Sequence, residues 1–244
     1  MSGHHTIEKG ANDAQRGKIF TRHGHLIAKA AQSGGDPSTN PTLRFAIESA
    51  KMDNVPNVNI DRAIKRGTGE LKGEAEIAEI AYEGRGPSGI AVIVECLTDN
   101  KNRTVTNVRT AFGKNGGTLG NSGTVAWMFD KKGLIVVATE GKAEEIELEA
   151  IDAGADDIQA KEKTVEIYTP FTALHKTTET LRAKGFKIEK AEVTMKPKET
   201  VRIDDVEKAR SVLNFINTLE EDGDVTNVYS NVDIPESVLE KIRK

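Results

Sequence analysis

The hydrophobic periodicity of this chain changes once, at Gly73, and that change limits what the chain can become. Before it, apolar residues recur at helical spacing in three short segments broken by turn residues. From Asp13 to about Gln32, Ile19, Phe20, Leu26, Ile27 and Ala30 share one helical face. Ser33-Gly34-Gly35-Asp36-Pro37 stops that helix. Asn40 is placed to cap the next, with Pro41 at its first position and Leu43, Ala46, Ile47 and Ala50 as its stripe. After Pro56-Asn57, a third helix from about Asn59 to Arg66 carries Ile60, Ala63 and Ile64 inward and ends at Gly67.

Beyond Gly73 the pattern becomes mixed. Ile77–Glu83 and Gly89–Leu97 read as strands, and Ile-Ala-Val-Ile-Val at Ile90–Val94 as one buried on both faces. A helix capped by Asn102 follows, with Val105, Val108 and Phe112 inward, then a strand over Gly123–Phe129 with Trp127 in the core. Lys131-Lys132-Gly133 reads as a turn into a new unit. There, strand Leu134–Ala138, helix Ala143–Ala153, a strand pair over Asp157–Thr169, helix Thr172–Lys184 and strand Lys187–Met195 follow in the order of the ferredoxin-like split βαβ. Helix Asp204–Leu219 and strand Val225–Val232 are too few for a domain, so they are assigned to the incomplete β-β-α-β segment before them.

The expected fold is therefore α+β with three domains: an N-terminal three-helix bundle plus two α/β domains, one ferredoxin-like and inserted into the other. The boundaries are 1–75, then 76–131 with 199–236, then 132–198, and a C-terminal tail at 237–244.

One cysteine, Cys96, excludes an internal disulfide, and the start Met1-Ser2-Gly3-His4-His5 has no apolar signal core. No apolar run approaches a membrane span. A cytoplasmic protein, or one of an organelle matrix, is expected. Residues 1–72 carry a net charge of +4 and the remainder −8. A basic end on an acidic body points to an anionic partner.

Lys18, Arg22, His25 and Lys29 fall within about 60° of one another on the first helix, roughly 110° from its apolar face, a row suited to phosphates. Arg16 precedes it. Arg62, Lys65 and Arg66 form a second patch at i, i+3 and i+4. Asp99–Thr104 leads into a helix start where Lys101 and Arg103 can meet an anion, and Arg109 extends that surface. Lys114 opens a glycine-rich stretch, Lys114–Gly117 and Gly120–Gly123, read as a mobile connection. Gly84–Gly89 spells G-x-G-x-x-G but runs into a strand, so it reads as a turn. Neither C-x-x-C nor H-E-x-x-H occurs, His23 and His25 point about 200° apart on a helix, and Cys96 reads as core. No catalytic centre, metal, cofactor or small-molecule substrate is expected; nucleic acid is the expected partner, without membrane contact.

Several non-repetitive segments together resemble the YebC/PmpR family. They are Arg16–Phe20, Gly35-Asp36-Pro37 with Asn40-Pro41, Asn59–Glu70, Tyr82-Glu83-Gly84, Glu95–Thr104 and Lys114–Gly117. The resemblance covers essentially the whole chain. It implies a three-domain α+β protein without catalytic residues that regulates gene expression, as a DNA-binding transcriptional regulator or as a ribosome-associated translation factor binding rRNA or tRNA. One departure stands at Gly3–Lys9, where the tryptophan and most of the basic residues usual in the family are missing. Gly24 also interrupts the first helix.

Overall fold

The computed structural model describes residues 3–243, with side chains from Gln15 onward. The chain forms two compact units, one of residues up to 126 and from 201 on, the other of residues 127–200.

The first unit opens with helix α1 (Gly3–Ala31), α2 (Pro41–Met52) and α3 (Asn57–Gly67). Helix α1 starts ten residues earlier than its apolar stripe indicates. Asn40 caps α2, its side chain accepting from the Leu43 amide at 3.0 Å. Ile27, Leu43, Ala50, Val55 and Ile60 make the bundle's core. Gly67 lets α3 close on α1, since a Cβ there would lie 2.2 Å from the Ala28 carbonyl oxygen.

A four-stranded antiparallel sheet follows, ordered β3-β1-β2-β9, from β1 (Ala78–Arg85), β2 (Ala91–Thr98), β3 (Thr118–Leu119) and β9 (Val225–Ser230). The G-x-G-x-x-G segment supplies the tight connection between β1 and β2. Val92, Val94 and Cys96 of β2 meet α4 (Lys101–Lys114) and α7 (Val206–Glu220), whose Phe112 and Phe215 rings meet edge to face at 4.9 Å. The opposite face of β2 presents Leu97 to Ala28 and Leu26 of α1. So β2 is buried on both faces, as its unbroken apolar run requires, and α1 is sandwiched between its own bundle and the sheet.

In the second unit β4 (Phe129–Ala138), α5 (Ala143–Asp152), β5 (Asp157–Ala160), β6 (Thr164–Pro170), α6 (Leu174–Ala183) and β7 (Ile188–Pro197) give sheet order β5-β6-β4-β7, the ferredoxin-like arrangement. Ile135, Val137, Ile146, Ile167 and Leu181 fill its core.

Five expectations are corrected. Gly123–Met128 is not a strand: of the segment after α4 only Thr118–Leu119 pairs with β1, Ala126–Met128 is a single 3₁₀ turn, and Phe129 already opens β4. Trp127 is 65% exposed rather than core. Lys131-Lys132-Gly133 is no turn but part of β4; its glycine serves close packing, since a Cβ there would lie 2.6 Å from Thr169 Oγ1. The cap of α4 is Asn100, accepting from the Arg103 amide, and Asn102 already lies inside the helix. Residues read as a tail fold as α8 (Glu236–Arg243), with Val238 buried against the α7 core; β8 (Val201–Arg202) and β10 (Val232–Asp233) form a short parallel pair beside it.

Candidate nucleic-acid interface

The row on α1 is drawn into contacts with the rest of the unit, although the Lys18 and Lys29 side chains stay 48% and 41% exposed. Because the sheet covers α1 from the side opposite its bundle, the row meets the acidic turn after α7. Arg22 donates to the Glu220 carbonyl, Lys18 lies 3.9 Å from Glu221, and Lys29 lies 4.0 Å from Glu79. His25 is buried at 5% exposure, its Nδ1 3.7 Å from an Asp224 oxygen. Burial holds its pKa below the ordinary 6.5, against the pull of Asp224 and Asp99 and with a further push down from Arg66. Arg16 is the exception on this helix: it is exposed, with its guanidinium 5.7 Å over the Phe20 ring.

On α3 the outcome is split. Arg62 binds Glu74 at 2.7 Å. Arg66 folds back to the Ala75 carbonyl at 2.7 Å, Asp99 at 3.1 Å and Glu74 at 3.4 Å. Lys65 is exposed and has no carboxylate partner among the described residues. The Arg62 hydrogen bond holds the Glu74 carboxyl below its ordinary range.

Arg103 is likewise occupied. It grips the buried carboxylate of Asp224 at 2.8 Å and Asp99 at 2.9 Å. Thr98 and Thr104 hydroxyls complete the Asp224 shell at 3.2 and 2.8 Å. Hydrogen bonding to Asp224 raises the Arg103 pKa. Burial pushes Asp99 up, but hydrogen bonds from Arg66 and Arg103 outweigh it and leave the carboxyl below its usual range. Thus Arg66 and Arg103, expected from the sequence to meet nucleic acid, fasten the helical bundle and α4 to the base of β9.

Lys101, Arg109 and Lys114 differ. All three are exposed, and none has a carboxylate partner among the described residues. The signal for this was in the sequence: from Lys101 to Phe129 there is no Asp or Glu, in a chain with 38 of them. The glycine-rich connection within that run is not loose. The buried carboxylate of Glu83 accepts the amides of Gly123, Val125 and Ala126 at 2.8, 2.9 and 2.7 Å. Burial raises its pKa, and those three amides together more than reverse the effect.

The His23 ring bonds Asp53 at 2.6 Å, so the two histidines turn to different acids. The described residues contain no group of three or more His, Cys, Asp or Glu able to hold a metal ion. Cys96 is buried and its thiol is pushed up to about 12 by burial, which leaves it protonated. No helix among the described residues is long and apolar enough to cross a membrane. The side chains of His4, His5 and Lys9 lie outside the described residues.

Residues 5–70 match the TACO1/YebC protein N-terminal domain, and residues 77–232 match the TACO1/YebC second and third domain. A probable transcriptional regulatory protein of Geobacter sulfurreducens is 48% identical over 99% of this chain and 100% of its own length. One of Thermoanaerobacter pseudethanolicus is 50% identical over 96% and 98%. These relatives carry the names of regulators, not of enzymes. The crystal structure of a conserved hypothetical protein from Aquifex aeolicus superposes with a TM-score of 0.77 at 47% identity, covering 91% of this chain and 92% of that one. Similarity of this extent, through every domain and in the fold itself, makes the chain a member of the TACO1/YebC family.

Proposed function

We propose that this chain is a non-enzymatic, DNA-binding regulator of transcription that meets its target through cations the fold leaves unpaired. The observation that carries this is the acid-free run Lys101–Phe129, whose Lys101, Arg109 and Lys114 stand exposed on an otherwise acidic body. Phosphates require charge and donors at repeated spacing, and the same run supplies asparagine and threonine side chains beside the cations. Arg16 and Lys65 extend the set on the helical bundle. Lys18, Arg22, Lys29, Arg62, Arg66 and Arg103 then act by positioning. The names of the relatives support a role in transcription.

A second reading, a translation factor binding rRNA or tRNA, is favoured by α3. In helix-turn-helix docking the recognition helix projects its side chains into the major groove. Here Arg62 and Arg66 are turned back onto Glu74, Ala75 and Asp99. RNA recognition by shape and backbone needs no such projection.

The test is Lys101→Glu with Arg109→Glu and Lys114→Glu, against duplex DNA and structured RNA across a salt series. Removing one cation from a phosphate flattens the slope of log affinity against log salt by about 0.9 on duplex DNA or about 0.7 on single strands. Unchanged binding of both polymers would remove these residues from the interface. Cosedimentation with ribosomes without a DNA footprint would replace the transcription reading with the translation one.

A further inference from the structure

Between α1 and α3 lies a cleft of about 360 Å³, within the size range of small-ligand sites. Phe20, Gly24 and His25 line it from α1, and Asn59, Arg62 and Arg66 from α3. Two features of this cleft are left unexplained by packing. The first is Gly24. A glycine inside a helix costs about 1 kcal/mol relative to alanine. Gly67 admits a close neighbour, whereas a Cβ on Gly24, as on Gly17 and Gly113, meets no heavy atom within 4 Å. The space it leaves open is the cleft.

The second feature is charge. Arg62 and Arg66 are balanced by Glu74 and Asp99, which also line the cleft. A bare anion gains little there. A neutral planar group bearing both donors and acceptors suits it better: guanidinium and amide N–H groups meet its acceptors, carboxylate and amide oxygens its donors, and the Phe20 ring supplies a flat wall.

We propose that this cleft receives one unpaired nucleobase of a bound nucleic acid. The inference rests on the nucleic-acid reading above and adds that the polymer is held at an unstacked nucleotide, not along a continuous duplex. Sequence readers of single strands use the same elements, an aromatic face and side chains on the base edge.

The probe is a hairpin with an unpaired loop, made once as RNA and once as DNA, compared with a blunt duplex of the same stem. Gly24→Leu fills the cleft, improves the helix and leaves the surface charge intact; Asn59→Ala removes one edge contact from an exposed position. Urea unfolding confirms that each variant is folded. The expected result is binding of Gly24→Leu about five- to 150-fold weaker to the hairpin of at least one sugar type, the span of about 1–3 kcal/mol per stacked base. A smaller reduction follows for Asn59→Ala, and blunt-duplex binding is unchanged. Hairpin binding by Gly24→Leu equal to that of the original chain with both sugars overturns the cleft while leaving the nucleic-acid reading standing. A chain that binds neither hairpin nor duplex before substitution overturns both.

Discussion

Arg103 and Lys101 lie two residues apart on α4 and do opposite work. Arg103 commits its guanidinium to Asp99 and to the buried carboxylate of Asp224. Lys101, with Arg109 and Lys114, meets no carboxylate among the described residues. The same division separates two regions. Around α1 and α3, cations and acids interlock and hold the bundle against the sheet; Lys101, Arg109 and Lys114, in a run that carries no acid of its own, are left without such partners among the described residues. Positive charge in the sequence therefore has two destinations, and what decides between them is the position of the acids. The turn Glu220–Asp224 brings acidic side chains and backbone carbonyls under α1. From Lys101 to Phe129 the chain supplies no acid of its own.

Removing one half of a fastening should have the largest effect. Arg103→Ala strands the Asp224 carboxylate, 3% exposed, with only hydroxyls and a neutral histidine nearby. Loss of the charged hydrogen bonds to this buried carboxylate, from an arginine itself 44% exposed in its side chain, destabilises by about 2 kcal/mol, read as a lower urea midpoint. A change under about 0.5 kcal/mol would place Arg103 with Lys101 and break the contrast. Glu83→Ala comes next. It leaves three loop amides without their acceptor, for a destabilisation of about 2 kcal/mol, and opens the Gly123, Val125 and Ala126 amides to exchange with solvent. If hydrogen exchange there is unaltered, the loop is held by something other than Glu83.

A smaller effect follows from His25. Its folded pKa lies below the unfolded 6.5 because burial disfavours the imidazolium. The unfolded chain thus binds the proton more readily, so stability is full above about pH 6.5 and falls as pH drops through that value. One proton limits the slope to about 1.4 kcal/mol per pH unit. Glu83 and Asp99 have depressed pKa values, and their contribution, full above about pH 4.3, is lost only below it. The windows are therefore separate. His25→Gln should flatten the stability curve between about pH 4.5 and 6.5; a persistent slope there would assign it to another group.

The fold was readable because its signals are local. Asn40-Pro41 announces a helix start, Ile90–Val94 a doubly covered strand, and the alternation of elements from Leu134 to Met195 the ferredoxin-like unit. The interface was less readable because helical spacing says which residues share a face, never what lies over that face. Lys18, Arg22, His25 and Lys29 do share one; the acidic turn that meets Arg22 comes 198 residues later. Gly133 shows the same limit in a strand. A glycine after two lysines reads as a turn, but it is required by Thr169 and Leu174, distant in sequence. The absence of acids from Lys101 to Phe129 removes only local partners: it leaves Lys101, Arg109 and Lys114 without a carboxylate among the described residues, yet Arg103 in the same run pairs with Asp224 from 121 residues away.

Lys101→Ala with Arg109→Ala should change stability least and so mark the other pole of the contrast. Each side chain is exposed and makes no ion pair with a described residue, so the double variant should stay within about 0.5 kcal/mol of the original chain. On an acidic body, taking positive charge away brings no electrostatic relief, so a rise in stability is not expected. Polyanion binding should respond instead. Freeing two phosphates flattens the salt slope by about 1.8 on duplex DNA or about 1.4 on a single strand. The two quantities together discriminate: a fastening residue moves the urea midpoint first and binding only as a consequence, whereas a phosphate-binding residue moves the salt slope at constant midpoint. A double variant that lowers the midpoint while leaving the slope untouched would show that α4 uses its cations as α1 does, and that the acid-free run is a structural surface.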